Sequence, residues 1–229
     1  MISTVILDDS SSSISKVLEP GNHIVTINSI KLEAPPYNKD AYSIVLGLEG
    51  PDMGEGFEGF FINKEDESLG RHKGQVAFVK MSQYAYADGT TKTGIKIDRN
   101  MELVRALKNL CSATGCSDWL EAENNKHETI ESLFEKFASD KPFAGSTIRC
   151  CIAGKEYQNN KGYTNFDLFF AKPGRGQYAY ESATTPVAVS KVIEFNPDTH
   201  IIRKKVEAVT SFGDNTVTTS SSVGDDFQL

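Results

Sequence analysis

Between Pro20 and Ala34 the chain carries apolar side chains at Ile24, Val25, Ile27, Ile30 and Leu32. The spacing is that of a strand, but its phase changes around Asn28 and Ser29. Val25 and Ile27 share one face, whereas Ile30 and Leu32 share the other. A strand that buries first one face and then its opposite has to bend, and a bulge is the usual device for bending it. One long strand, His23–Glu33, is therefore expected to curl around a core, as the longest strand of a small barrel must.

The rest of the chain supplies partners for that strand. Tyr42, Ile44, Leu46 and Leu48 alternate cleanly through a second strand, Tyr42–Glu49. An acidic turn, Gly50–Gly56, leads to a third strand read at Phe57–Asn63. Val76–Val79 and Gln83–Tyr86 read as short strands, and Asp88-Gly89 as a hairpin-type turn before Thr93–Ile97. Leu103, Val104, Leu107, Leu110 and Cys111 then recur at helical spacing, as do Ile130, Leu133, Phe134 and Phe137. Gly115 and Ser117-Asp118 are read as the break between two helices, with Asn125 and Glu128 as a capping box for the second. Strands at Thr147–Ala153 and Tyr163–Ala171 follow. Phe166, Leu168 and Phe170 point one way, and Tyr163, Asn165, Asp167 and Phe169 the other.

A mainly β chain with three strands, a helical insertion and two more strands has the element order of an OB-fold. That fold is a five-stranded Greek-key barrel whose strand 2–3 face and β1–β2 and β4–β5 loops bind oligonucleotides or sugars. A β-sandwich and an α+β domain are the alternatives. The expected layout is a loose leader over residues 1–20, the barrel domain over 21–182 and a flexible tail over 183–229. Within the tail an apolar patch, Val192–Ile202, can dock on the domain or on a partner, while Phe212–Val223 cannot bury enough surface to order itself.

The net charge of −7 argues at first against a nucleic-acid partner, but the distribution is uneven. Residues 40–70 hold eight acids and one base, whereas 71–105 hold seven bases against three acids and 141–176 six against two. Aromatic and basic residues interleave in the basic stretches and the two expected binding loops, Ala34–Asp40 and Gly154–Gly162. Tyr37 and Lys39, Arg71 and Lys73, Tyr84 and Tyr86, Lys155 and Tyr157, and Lys161 and Tyr163 form the series. Arg149 and Phe169 join them on the strand faces turned from the core. Rings to stack unpaired bases and cations to follow the backbone are what a single strand requires. The competing reading is half-buried barrel tyrosines with solvated lysines beside them.

The last residues, Asp225-Asp226-Phe227-Gln228-Leu229, set two carboxylates against a ring at the end of a polar stretch. A barrel followed by such a tail resembles the single-stranded DNA-binding proteins of bacteria and bacteriophages. The resemblance implies sequence-independent binding of single-stranded DNA in phage-like replication or recombination. It also implies that Asp225, Asp226 and Phe227 recruit replication or recombination proteins and compete with DNA for the barrel. The chain departs from the pattern in having only two acids and in placing Gln228 and Leu229 after the ring. The alternative is a virion or accessory structural protein whose barrel and tail make protein contacts only.

Nothing points to an enzyme or a cofactor: no G-x-x-x-x-G-K-[ST], H-E-x-x-H or G-x-S-x-G motif occurs, and the four histidines are far apart. Cys111, Cys116, Cys150 and Cys151 with His127 fit no common zinc spacing. No apolar run is long enough to span a membrane. The start lacks the pattern of a signal peptide, so a cytoplasmic location is expected, that of the host if the protein is viral. Self-association is left open.

Overall fold

The structure, a computed structural model, describes residues 14–174 and 177–203. Arg175 and the tip Asp225-Asp226-Phe227 lie outside the described residues. Five strands build the barrel: β1 (Gly21–Glu33), β2 (Ser43–Glu49), β3 (Val76–Lys80), β4 (Thr147–Gln158) and β5 (Thr164–Phe170). They pair in the order β1–β2–β3–β5–β4, and β4 closes back on β1. The β3–β5 pair is parallel and the others are antiparallel, which makes a closed mixed barrel of OB type.

The expected bend in the first strand is present and it closes the barrel. Gly21–Thr26 pairs with β4, Thr26–Glu33 pairs with β2, and the register to β2 slips between Ile27 and Ser29. The slip sets Ser29 opposite Gly47, where an added Cβ would lie 2.3 Å from the Ser29 hydroxyl. A glycine there lets the bulge fit without moving Ser29. Inside, Leu46, Val79, Ile148, Ile152 and Phe170 are fully buried. The helical insertion between β3 and β4 adds Leu103, Leu107 and Leu110 from α1 (Arg99–Thr114) and Phe134 and Phe137 from α3 (Ile130–Asp140) to the same core. Asp98 caps α1 by accepting from the Met101 amide.

Local expectations fail where side-chain chemistry allowed two answers. Thr129, not Asn125, caps α3, accepting from the Ser132 amide, and Asn125 sits in a left-handed turn at φ 60°. The stretch read as a helix break holds a short helix, α2 (Ser117–Ala122). The larger correction concerns the third strand. Phe57–Asn63 forms no strand and one isolated β-bridge among the described residues, Phe61 to Arg71, and the third barrel strand is Val76–Lys80. Gln83–Tyr86 contributes one bridge, Tyr86 to Tyr42, and Thr93–Ile97 only the two-residue ladder of Gly89–Thr90 with Lys96–Ile97. Leu18, placed in the leader by its sequence surroundings, is buried in the core, and Val17 bridges to Val76.

Residues 50–75 are thus an excursion between β2 and β3, and Glu49 organises it. One of its carboxylate oxygens accepts from the Lys73 and Gly74 amides (2.9 and 3.3 Å), the other from Asn28 and His72 (2.8 and 2.9 Å). Burial raises the carboxyl's pKa, but the hydrogen bonds from His72, Asn28 and Gly74 outweigh it and hold Glu49 below the usual range. A depressed folded-state pKa contributes stability above the unfolded value and loses it as pH falls through the folded one. Glu49→Gln should cost about 1–2 kcal/mol at neutral pH, since hydrogen bonds to a charged group are replaced by weaker ones. In urea melts the gap between the two proteins should shrink on acidification. A gap unchanged from neutral to acid pH would remove Glu49 from this role.

After β5 the chain adds β6 (Tyr180–Ser182), antiparallel to Ile148–Cys150 of β4. Residues 183–203 then run as a strap over the outside of β4 and β5. Val192, Ile193, Phe195 and Ile202 pack on Cys151, Ala153, Phe169, Ala171 and Ala179, a second apolar cluster outside the barrel. Adjacent Cys150 and Cys151 serve opposite sides of β4, the first in the barrel core and the second under the strap.

Candidate nucleic-acid interface

Alternation along β3 buries Ala77 and Val79 and turns Val76, Phe78 and Lys80 outward. Phe78 lies opposite Gly47 in the register, and its ring is 66 % exposed. The Lys31 ammonium, from β1, stands 5.1 Å from the centre of that ring. Phe78 also lines an apolar groove of about 860 Å³ with Phe60 and Ile62 of the excursion on its other wall.

One strand register further, the face opens into a cleft of about 330 Å³. Its walls are Pro35, Pro36 and Tyr37 from the β1–β2 connection and Gln83, Tyr84 and Ala85 from the segment after β3. Lys80, Lys155, Asp167 and Phe169 also line it. Tyr37 is 83 % exposed and Tyr84 72 %, although both are large rings with apolar faces. Each follows a segment that fixes its position: two prolines stiffen the approach to Tyr37, and the Tyr84 amide bonds to the Ser82 hydroxyl. The Lys80 ammonium donates to both oxygens of Asp167 (2.8 and 2.9 Å). Lys155 is opposite Asp167 in the register and exposed. Tyr157 follows two residues on along the same face of β4, and Lys161 and Tyr163 are exposed in the connection to β5.

The twelve nucleic-acid candidates therefore divide. Tyr37, Tyr84, Lys155, Tyr157, Lys161 and Tyr163 are exposed on the cleft or on the β4–β5 end of the barrel. Lys39 is exposed in the β1–β2 connection but does not line the cleft. Tyr86 packs against the core, and its hydroxyl is hydrogen-bonded to that of Tyr178; burial pushes its pKa up. Phe169 does project away from the barrel core, but the strap covers it and leaves it 9 % exposed. Arg149 is an ion-pair partner of buried Glu181, with Nε to Oε1 at 2.8 Å. Arg71 lies over the Phe61 ring and donates to the Gly59 carbonyl, so it braces the excursion. Lys73 is 3.8 Å from Asp52 on the same excursion. Arg149 and Phe169 lie on the side that alternation assigns them, where later segments pair with the one and cover the other, whereas Arg71 and Lys73 belong to the excursion and Tyr86 packs on the core.

Phe78, Lys31 and Lys80 join the face without having been singled out. Alternation along Val76–Lys80 would have found Phe78 and Lys80, which are out of phase with Ala77 and Val79, whereas Lys31 lies on β1 and meets Phe78 only across the sheet. The Cys116 thiol contacts the Thr114 hydroxyl at 3.1 Å; interaction between the Cys111 and Cys116 thiols raises the first one's pKa and lowers the second's, and no group of three metal-ligand side chains occurs among the described residues. No helix among these residues is long and apolar enough to cross a membrane.

A closed mixed barrel with β3 parallel to β5 and helices between β3 and β4 places the domain in the OB-like class. Comparisons with family models, with curated proteins and with solved structures returned no match.

Proposed function

We propose that this chain binds single-stranded DNA without sequence preference, along the outer face of β3 and the adjoining cleft, in replication or recombination of a phage-like kind. The observation that supports it most is the pairing of two highly exposed tyrosines, Tyr37 and Tyr84, with lysines in one cleft at the mouth of an OB-like barrel. Exposed rings gain little for folding, whereas each base stacked on one contributes about 1–3 kcal/mol to binding. Phe78 with Lys31 extends the same chemistry along the face. In this reading Asp225, Asp226 and Phe227 recruit replication or recombination proteins, and the chain needs no cofactor and catalyses no reaction.

The test is an anisotropy titration of labelled oligo-dT with the full chain. If about four lysines contact phosphates, affinity should fall about 50-fold between roughly 50 and 200 mM salt, from a slope near −0.7 per contact. Lys161→Glu, in the exposed β4–β5 connection, should weaken binding about tenfold at low salt, by losing one contact and adding one repulsion, with thermal stability unchanged. The apolar groove walled by Phe60, Ile62 and Phe78 favours a second reading, that the barrel makes protein contacts only. Absence of oligo-dT binding at low salt and micromolar protein decides for that second reading.

A further inference from the structure

The cleft walled by Tyr37 and Tyr84 holds polar groups that the fold leaves unpaired. Ser43 opens β2 on the face turned from the barrel core, opposite Glu33 of β1, and is only 8 % exposed. Its hydroxyl nevertheless makes no hydrogen bond among the described residues, and neither does the side-chain carboxamide of Gln83. Both residues line the cleft. A covered hydroxyl without a partner costs free energy on folding, so nearly all such groups are paired with protein or with water. Here water in the cleft meets them in the free protein, and a polar ligand edge can take that water's place.

The charges of the lining favour a neutral group over a phosphate. Two acids, Glu33 and Asp167, stand against two bases, Lys80 and Lys155. Lys80 is held by Asp167, and Glu33 is ion-paired with Lys31. Lys155 has no ion pair among the described residues. Asp167 is taken by Lys80, and Glu156 meets Arg203 at 3.9 Å, where Ile201–Ile202 pairs with Gly154–Lys155. A cleft walled by rings, with a hydroxyl and a carboxamide inside and one exposed cation beside them, suits a base within and a phosphate outside.

We propose that the cleft is a base-insertion subsite, in which one unpaired nucleobase lies against Tyr37 and Tyr84 with its polar edge hydrogen-bonded by the Ser43 hydroxyl and the Gln83 carboxamide. The inference rests on the single-strand reading above and deepens it. A hydroxyl and a carboxamide each donate and accept, so together they meet the edge of any base and add no sequence preference. What they add is a requirement for a free edge, which a base paired in a duplex does not have.

The experiment measures two labelled oligomers of equal length, oligo-dT and one carrying difluorotoluene, an apolar isostere of thymine, at every position. Each is titrated with the full wild-type chain and with the full-length variant carrying Ser43→Ala and Gln83→Met. The wild-type chain should bind the isostere at least about fivefold more weakly than oligo-dT, the loss of two hydrogen bonds to a neutral group. The variant should bind oligo-dT more weakly by the same factor and the isostere as the wild type does. Its salt slope should be unchanged, because no charge is removed. Its melting temperature should not fall, since the lost groups were unpaired, and the wild-type comparison of the two oligomers stands without any variant. Equal wild-type affinity for both oligomers overturns the subsite and leaves the stacking reading standing. A variant that binds oligo-dT like the wild type, or that is weakened equally on both oligomers, overturns it too, because the base edge is then not what these groups hold. A wild-type chain that does not bind oligo-dT overturns both.

Discussion

Replacing Tyr37 and Tyr84 together by alanine should abolish most single-strand binding while leaving the domain as stable as before. The two rings are 83 % and 72 % exposed, so truncating them opens no cavity and exposes almost no new apolar surface. Each lost stack costs about 1–3 kcal/mol, so the pair should cost at least about 2 kcal/mol, a 30-fold or greater loss of affinity. The loss should be similar for oligo-dT, oligo-dA and oligo-dC, because a ring stacks on any base. Tyr86→Phe is the matched control. It removes only the hydroxyl bonded to Tyr178, beneath the surface, and should alter melting without altering affinity. A double variant that melts early but binds normally would place Tyr37 and Tyr84 in the fold and take the carrying observation away from the binding reading.

The second large effect is on stability. Arg149→Ala should lower it by about 2–4 kcal/mol, somewhat less than the usual loss for a broken buried pair because the arginine itself is half exposed. The reason lies in Glu181, which is 3 % exposed. Its carboxylate accepts from Arg149 Nε at 2.8 Å, from the Ser190 hydroxyl at 3.0 Å and from the Lys191 amide at 2.9 Å. Removing the guanidinium leaves an anion under the strap with one hydroxyl and one amide. Melting should fall by about 5–15 °C for a domain of this size. Adding Glu181→Gln should recover part of the loss, since the remaining group is then neutral. Oligo-dT affinity, measured well below the melting point, should stay the same. Lost affinity with unchanged melting would instead return Arg149 to the interface.

Arg149 and Phe169 show how far local pattern reaches. Both lie on the strand faces turned from the barrel core, as their alternation requires, because successive side chains of a strand point to opposite sides. On that outer side the strap segment Val192–Ile202 covers Phe169, and Arg149, itself half exposed, is drawn into an ion pair with Glu181. Nothing within a few residues of Phe169 encodes the arrival of Phe195.

By itself the sequence determined the bent first strand, through the phase change at Asn28–Ser29, and with it the closed barrel. It also determined the two main helices of the insertion and the inward faces of β2, β4 and β5, since each of these follows from spacing along a single element. Only the tertiary structure decided that Val76–Lys80, not Phe57–Asn63, is the third strand. Both segments carry enough apolar residues, and the choice between them depends on which one Glu49 and its partners leave free to pair with β2. The tertiary structure likewise brought Tyr37 to Tyr84 across the cleft and carried Arg203 to the side of Lys155. Such meetings are fixed by long-range pairing and burial, summed over segments far apart in the chain, which no local period records.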